Sequence, residues 1–401
     1  MAEIPYQTIA IGVDNSADSL AAEEVGTYLA HRLGASITGC HIYSGHLHRI
    51  RFLALEEYLP EKYQQDQVLA SQREVHNTLI ERGLEIISRD YMQRLRHSCA
   101  HMEIPFREQV SDGKNAERLM TVAAEHDLII LGAQGIGKVD GSRGLGSTSR
   151  RVLRRTDRDI LVTRNHKRPN RILIGLDGSD FSFRALDRGI GLGLSLPAEV
   201  RLAASHDPLL HRSIFRLLSH MLSEEAGKAF HFTEQEQLHN SIIDKGLADL
   251  YLGHLTRGRK IAFQNGLEKV STELMEGPAW HSLCQNAEEW DADLIIVGRH
   301  GMHRGVSADI GATAERVAEE SDTNVLVVGG EGRREKASIP PSPPPAYPTL
   351  TWSAEARERL ERVPPFARPM AIFAIERHAL ENGHSVITPE IMDQAREFFG
   401  T

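Results

Sequence analysis

Between Thr8 and Val328, short apolar runs of Ile, Leu and Val alternate with longer stretches whose apolar positions recur every third or fourth residue. The runs end at Gly, Asp or Ser and read as buried parallel strands; the periodic stretches read as helices laid over them. Strands are predicted over Thr8–Val13, Ala35–Tyr43, Ile104–Val110, Asp127–Leu131 and Asp159–Arg164. A helix is predicted over Leu20–Leu33, with Ser16 and Asp18 as candidate N-caps and Gly34 as its stop, and another over Asn115–Glu125. Ser44–Met102 is helical in character, and its apolar series Val68, Val75, Leu79, Ile86 and Leu95 is expected to cover a sheet face. A second series follows, with strands over Arg171–Leu176, Glu199–Ser205, Lys269–Met275, Leu294–Val297 and Val325–Val328. Helices are predicted from Phe181, across the long region Pro208–Gly266, and from Gly277-Pro278 to Ala287. Such alternation predicts an α/β fold of two tandem, doubly wound, parallel five-stranded sheets with right-handed crossovers.

The second series is a copy of the first. DLIILGAQGIGKVDGSRGLGST, Asp127 to Thr148, carries Gly132 and Gly135 and, after ten intervening residues, Gly146-Ser147-Thr148. DADLIIVGRHGMHRGVSADIGAT, Asp291 to Thr313, carries Gly298 and Gly301 and, after nine intervening residues, Gly311-Ala312-Thr313. IGVDNS at Ile11–Ser16 returns as IGLDGS at Ile174–Ser179, and Arg151, Val152, Asp157 and Leu161 return as Arg316, Val317, Asp322 and Leu326. The duplication places one domain at residues 1–166 and a second at 167–330.

Glycine after a buried strand lets backbone N–H groups approach an anion with no Cβ in the way. The later Gly-Ser-Thr and Gly-Ala-Thr stand where a helix begins, whose free N–H groups and positive dipole end favour phosphate. Each loop therefore reads as a phosphate cradle. Asp14 and Asp177, at the carboxyl ends of the first strands, are placed either to cap a helix or to accept hydrogen bonds from a ribose or an adenine amino group. The first loop also fits GxxxxGK from Gly132 to Lys138, but Val139 stands where a P-loop needs Ser or Thr, and the motif follows the fourth strand. His41, His46 and His48 lack Cys or carboxylate companions for a metal set, and His300 and His303 flank Gly301, facing either phosphate or water.

At 401 residues the chain has room for two domains of about 150 residues and something smaller. A net charge of -9 without a basic run argues against a nucleic-acid partner. Cys40, Cys99 and Cys284 are scattered and odd in number, as expected of reduced, mostly buried thiols. No basic n-region opens the chain, and no apolar run approaches the ~18 residues of a membrane span, so a cytoplasmic location is expected.

With an Asp after the first strand and the paired glycine pattern, both copies resemble the universal stress protein domain, a Rossmann-like, adenine nucleotide alpha hydrolase-like fold with ATP-binding members. The resemblance spans about residues 5 to 330. It implies that Asp14 with Ile42, and Asp177 with Ser205, hold adenosine. It further implies that Gly132, Gly135, Gly146 and Ser147 in one copy, and Gly298, Gly301 and Gly311 in the other, hold the phosphates of ATP, with or without Mg²⁺. Ala312 stands where the family has a hydroxyl, and Thr313 is the nearest substitute. Since loop length sets the path of every N–H and the first loop has one extra residue, the second copy is the expected site if only one is filled. The copies are expected to pair within the chain or across a homodimer. An adenylyl transferase or ATP pyrophosphatase would need HxGH or SGGxDS, which the chain lacks; DGSDFS at Asp177–Ser182 is a partial echo. A regulatory nucleotide-binding role in stress response, with at most slow ATPase activity, is therefore expected.

Residues 331–350 contain Pro340, Pro341, Pro343, Pro344, Pro345 and Pro348, the composition of an extended tether. Residues 351–401 are expected to form a three-helix module: one helix capped by Ser353, a second over Met370–Asn382 stopped by Gly383, and a third opened by Thr388-Pro389. This stretch resembles the small C-terminal module of the light-independent protochlorophyllide reductase B subunit. It has no cysteine, so no iron–sulfur ligation carries over, and it is expected to dock a protein partner.

Overall fold

The computed structural model of the chain describes residues 5–138, 144–208, 217, 232–302, 309–330, 350–361, 368, 372, 375–376, 378–379, 382 and 384–399, with backbone alone at 232–236, 239–244 and 396–399. These fall into two compact units, one within Met1–Leu209 and Asp244–Arg333, the other within Leu210–Ile243 and Arg334–Thr401. The tether, apart from Leu350, lies outside the described residues.

In the first unit the first copy runs β1 (Thr8–Gly12), α1 (Ala17–Leu33), β2 (Ser36–Tyr43), α2 (Gly45–Leu55), α3 (Asp66–His101), β3 (Phe106–Asp112), α4 (Asn115–Ala124), β4 (Leu128–Gly132), α5 (Ser147–Arg155) and β5 (Asp159–Thr163). The second runs β6 (Arg171–Gly175), α6 (Asp180–Ser195), β7 (Glu199–His206), α7 (Phe232–Gln264, which belongs to this unit from Asp244 onward), β8 (Val270–Glu276), α8 (Ala279–Glu289), β9 (Leu294–Gly298), α9 (Ala312–Glu320) and β10 (Asn324–Val328). Ser16 Oγ accepts from Ser19 N–H and Ser179 Oγ from Ser182 N–H, each at 3.2 Å, so α1 and α6 start at serine caps. Asp18 lies inside α1 rather than at its cap.

Each copy builds the expected five-stranded parallel sheet, and the two sheets join into one of order β3-β2-β1-β4-β5-β10-β9-β6-β7-β8. The join is the antiparallel pair β5·β10, with Leu161 opposite Leu326. Pairing within the chain thus covers two strand edges that would otherwise present unpaired backbone groups. The duplication makes the seam nearly symmetric: Gly329 N–H donates to Asp159 Oδ1 at 2.9 Å and Arg164 N–H to Asn324 Oδ1 at 2.8 Å. Beside it, Arg150 pairs with Glu319 at 2.8 Å and Arg154 with Glu315 at 2.7 Å, tying α5 to α9. Two apolar clusters lie on opposite faces, one holding Ile9, Ile11 and Ile174, the other Ala10, Ile129 and Ile295, as period-two strands require.

The helical region after β2 departs from expectation. Leu95 is buried, but Val75, Leu79 and Ile86 are 57%, 67% and 68% exposed. At 36 residues α3 is about 54 Å long, far longer than the strands beneath it, so only its last turns, with Met92, Leu95 and Cys99, cover the sheet. Cys40 and Cys99 are buried and Cys284 is half-buried, all free thiols. Burial pushes the three up to about 12, 11 and 11 respectively, so they are protonated at neutral pH.

In the second unit, α10 (Ala354–Glu361) is capped by Ser353, whose Oγ accepts from Ala356 N–H at 3.1 Å, and α11 (Pro389–Phe399) begins at Pro389. Most of the helix expected over Met370–Asn382, with its Gly383 stop, lies outside the described residues. A feature absent from the helical expectation is a parallel pair of two-residue strands, β11 (Thr351–Trp352) and β12 (Val386–Ile387), too short to leave a periodic signal. Ala356, Ile375, Ala379, Ile387, Ile391, Met392 and Ala395 form this unit's own core.

Candidate functional site

The residues singled out in the first copy, Asp14, Ile42, Gly132, Gly135, Gly146 and Ser147, line one cavity of about 600 Å³ at the carboxyl ends of β1, β2 and β4. Asp14 N–H donates to Ser19 Oγ at 3.1 Å, and Asp14 Oδ1 accepts from Ser16 N–H at 3.0 Å. A Cβ on Gly135 would stand 2.6 Å from Asp14 Oδ2, so only glycine lets the loop come this close to the carboxylate. The loop is held from below: Gln134 N–H donates to Asp18 Oδ2 at 2.9 Å, Ser16 Oγ donates to Gln134 O at 3.2 Å, and Lys138 Nζ lies 3.5 Å from Asp18 Oδ1. Among the described residues, no backbone bond occupies the N–H groups of Gly135, Ile136 or Gly137.

Above the loop, α5 starts at Gly146 with no side-chain cap. The first-turn N–H groups thus have no N-cap side-chain acceptor, unlike those of the serine-capped α1 and α6. Gly146 itself is not sterically required, since its Cβ would stand 3.4 Å from Gln134 Cα. Gly132 is required, but for a reason other than phosphate: its Cβ would stand 2.7 Å from Asp18 C and 2.8 Å from Ser19 N, inside the first turn of α1. Gly298 repeats this against α6, 2.6 Å from Phe181 C. These two glycines serve packing.

In the second copy Asp177 is engaged by its own chain. Oδ1 accepts from Ser179 N–H at 3.0 Å and Ser179 Oγ at 2.6 Å, and Oδ2 from Met302 N–H at 3.0 Å. His254, from α7, lies over Gly178, where a Cβ would stand 2.4 Å from the ring. Burial holds the His254 imidazole below its ordinary range, against the pull of Asp177. Ser205 Oγ donates to Gly277 O at 2.7 Å. Arg299 is buried beneath the loop, donating to Asp309 O at 3.1 Å and Arg154 O at 2.6 Å. Gly301 meets Asp177 as Gly135 meets Asp14, with its Cβ site 2.7 Å from Oδ2. Gly311 heads α9 with no side-chain cap, and Thr313 is the second residue of that helix. Residues 303–308 of this loop, including His303, lie outside the described residues. His300 is buried, its ring edge-on to Phe181.

Sequence reasoning missed Asp18 and Gln134 as anchors of the first loop and Ser19 as the acceptor for Asp14 N–H, and it met Lys138 only within the discounted GxxxxGK. His41 lines the cavity with Nδ1 2.5 Å from Val13 O, and His46 lies 3.9 Å from Asp112. Among the described residues no three His, Cys, Asp or Glu side chains group to hold a metal, and no helix is long and apolar enough to cross a membrane.

Comparison with known proteins decides the family, because the Universal stress protein family profile matches residues 5–164 and again 169–329. The chain belongs to the universal stress protein family. A universal stress protein of Methanocaldococcus jannaschii is 28% identical over 163 residues, 39% of this chain and 81% of that protein. One from Archaeoglobus fulgidus, solved by crystallography, superimposes with a TM-score of 0.50 at 14% identity, covering 80% of this chain and 98% of that one, which shows a shared fold. Residues 352–396 match the profile of the proto-chlorophyllide reductase 57 kD subunit. The light-independent protochlorophyllide reductase B subunit of Chloroflexus aggregans is 33% identical over 136 residues, 34% of this chain, and the chain spans 23% of that protein's length.

Proposed function

We propose that this tandem universal stress protein binds ATP in its first copy and acts as a nucleotide-dependent regulatory module, not as an enzyme. One observation carries the reading: the six motif positions of the first copy converge on a single cavity of about 600 Å³ beneath an uncapped helix start. That volume lies within the roughly 300–1,000 Å³ usual for small-molecule sites. Asp14 and the backbone at Ile42 receive the adenosine; the loop N–H groups, the α5 N-terminus and the Ser147 hydroxyl receive phosphate, with Lys138 adding positive charge nearby. Mg²⁺ would arrive on the phosphate oxygens, which supply most of its ligands. The second crevice is proposed as the weaker site, reversing the expectation from loop length, because both Asp177 oxygens already accept bonds and His254 lies over Gly178. Occupancy would favour one arrangement of the first loop and so change what the chain presents to a partner. The C-terminal module, with a core of its own, is proposed as the docking element for that partner.

Titration calorimetry with ATP tests this on wild type, Asp14→Ala and Asp177→Ala. Losing a charged acceptor costs about 1.5–3 kcal/mol, so Asp14→Ala should weaken ATP by at least about tenfold while Asp177→Ala changes the tighter site little. Equal losses in the two variants, or ATP that wild type does not bind, would sink the reading.

A further inference from the structure

Beside the crevice, and continuous with it through Asn115, Ser147 and Thr148, lies a second cavity of about 540 Å³ between α4 and α5. Its lining combines two chemistries. Leu47, Ala116 and Met120 are apolar, whereas Lys114, Arg151 and Arg155 are cationic and exposed. Glu117, also in the lining, lies 3.3 Å from Lys114 Nζ and is balanced by it. Arg150 and Arg154 are taken by Glu319 and Glu315 across the seam, while Arg151 and Arg155 pair with no carboxylate among the described residues. Ser147, Arg151 and Arg155 recur every fourth residue, so they lie on one face of α5, about 6 Å apart along its axis. That face continues the line of positive potential from the helix start outward.

The second copy is built differently at the same place. Trp280 occupies the position of Ala116, and Arg316, the counterpart of Arg151, has its guanidinium 5.1 Å from the Trp280 ring. Pro278 and Glu320 replace Lys114 and Arg155. A cavity of this size exceeds what one phosphate fills, and an apolar wall with an unpaired cationic margin suits a nucleoside arriving on a phosphate chain.

We infer that the annex receives the far half of a dinucleoside polyphosphate. This rests on the nucleotide reading above: one adenosine sits in the crevice, the chain crosses the α5 N-terminus at Ser147 and Thr148, and the second nucleoside enters the annex. Calorimetry with diadenosine tetraphosphate, adenosine 5′-tetraphosphate and ATP tests it, on wild type and on the Arg151→Ala, Arg155→Ala double variant. Both arginines are exposed, so the fold should tolerate the change. Diadenosine tetraphosphate should bind wild type at least about tenfold more tightly than ATP, with adenosine tetraphosphate between them, and the double variant should lose about tenfold on the dinucleotide and less than about threefold on ATP. The inference is overturned if the dinucleotide binds no better than ATP, if it only equals adenosine tetraphosphate, or if the variant weakens all three ligands alike. Failure of every ligand to bind wild type would instead remove the nucleotide reading, and this inference with it.

Discussion

The two copies share their strand order, serine-capped first helices and the spacing of the first two loop glycines, yet they diverge where side chains meet the crevice. Asp18 anchors the first loop through Gln134 and Lys138, whereas its counterpart Phe181 meets His300 edge-on. Tyr91 of the first copy stands beside His41, whereas its counterpart His254 lies over Gly178. Ala116 leaves a cavity where Trp280 packs against Arg316. Duplication keeps the frame because the frame is needed to close the sheet, while the second crevice becomes lined by its own polar and aromatic partners. Duplicated motifs therefore do not make equivalent crevices.

The largest effect should come from the glycines under the loops. Gly132→Val and Gly298→Val drive a Cβ into the first turn of α1 or α6 and should each cost about 3 kcal/mol or more by chemical denaturation, ligand or not. Gly137→Ala, with nothing within 4 Å of its Cβ site, should leave stability unchanged. Equal stability of the Val and Ala variants would break the assignment of these two glycines to packing.

A second contrast sharpens the comparison. Glu23 is buried in α1, where α6 has Leu186, and burial pushes its carboxyl up to about 7 against the pull of Arg94. A carboxyl raised on folding binds its proton more tightly in the folded state. Its contribution to stability is full below the unfolded value of 4.5, falls as pH rises to about 7, and is flat above that. Glu23→Gln should remove this slope and stabilise the protein at pH 8 by on the order of 2 kcal/mol relative to its effect at pH 4. Denaturation midpoints across that range check it, and an unchanged slope would place Glu23 in water.

The smallest effect is at Gly178. Gly178→Asn copies Asn15, which holds the same left-handed conformation at φ 61°, so the backbone is served but the His254 ring must move. His254 should then titrate closer to the ordinary imidazole value, as followed by NMR of its ring protons. No movement would show that His254 does not depend on the bare glycine.

Much of the fold was legible because strand and helix periods are local. The runs at Leu128–Leu131 and Leu294–Val297 announce buried strands by composition alone, and Ser16 and Ser179 announce helix starts by position. The cradle was legible in its placement but not in its reasons. That Gly135 yields to Asp14 while Gly132 yields to α1 depends on which element crosses above each glycine. The overhang of α3 was hidden because its apolar series has the spacing of a buried face, and spacing does not report how far the sheet beneath extends.

The sequence by itself determined a duplicated α/β frame, the carboxyl-end position of both glycine loops, and a tail able to form its own core, since each follows from residue order within a few turns of chain. Only the tertiary structure decided that β5 meets β10 antiparallel, that Arg150 and Arg154 are taken while Arg151 and Arg155 are left, and that the first crevice opens onto a second cavity. The strand pairing and the arginine pairs turn on contacts between residues more than a hundred positions apart, and the cavity on how α4 and α5 pack side by side; such arrangements are set by the packing of crossovers, which no local pattern encodes.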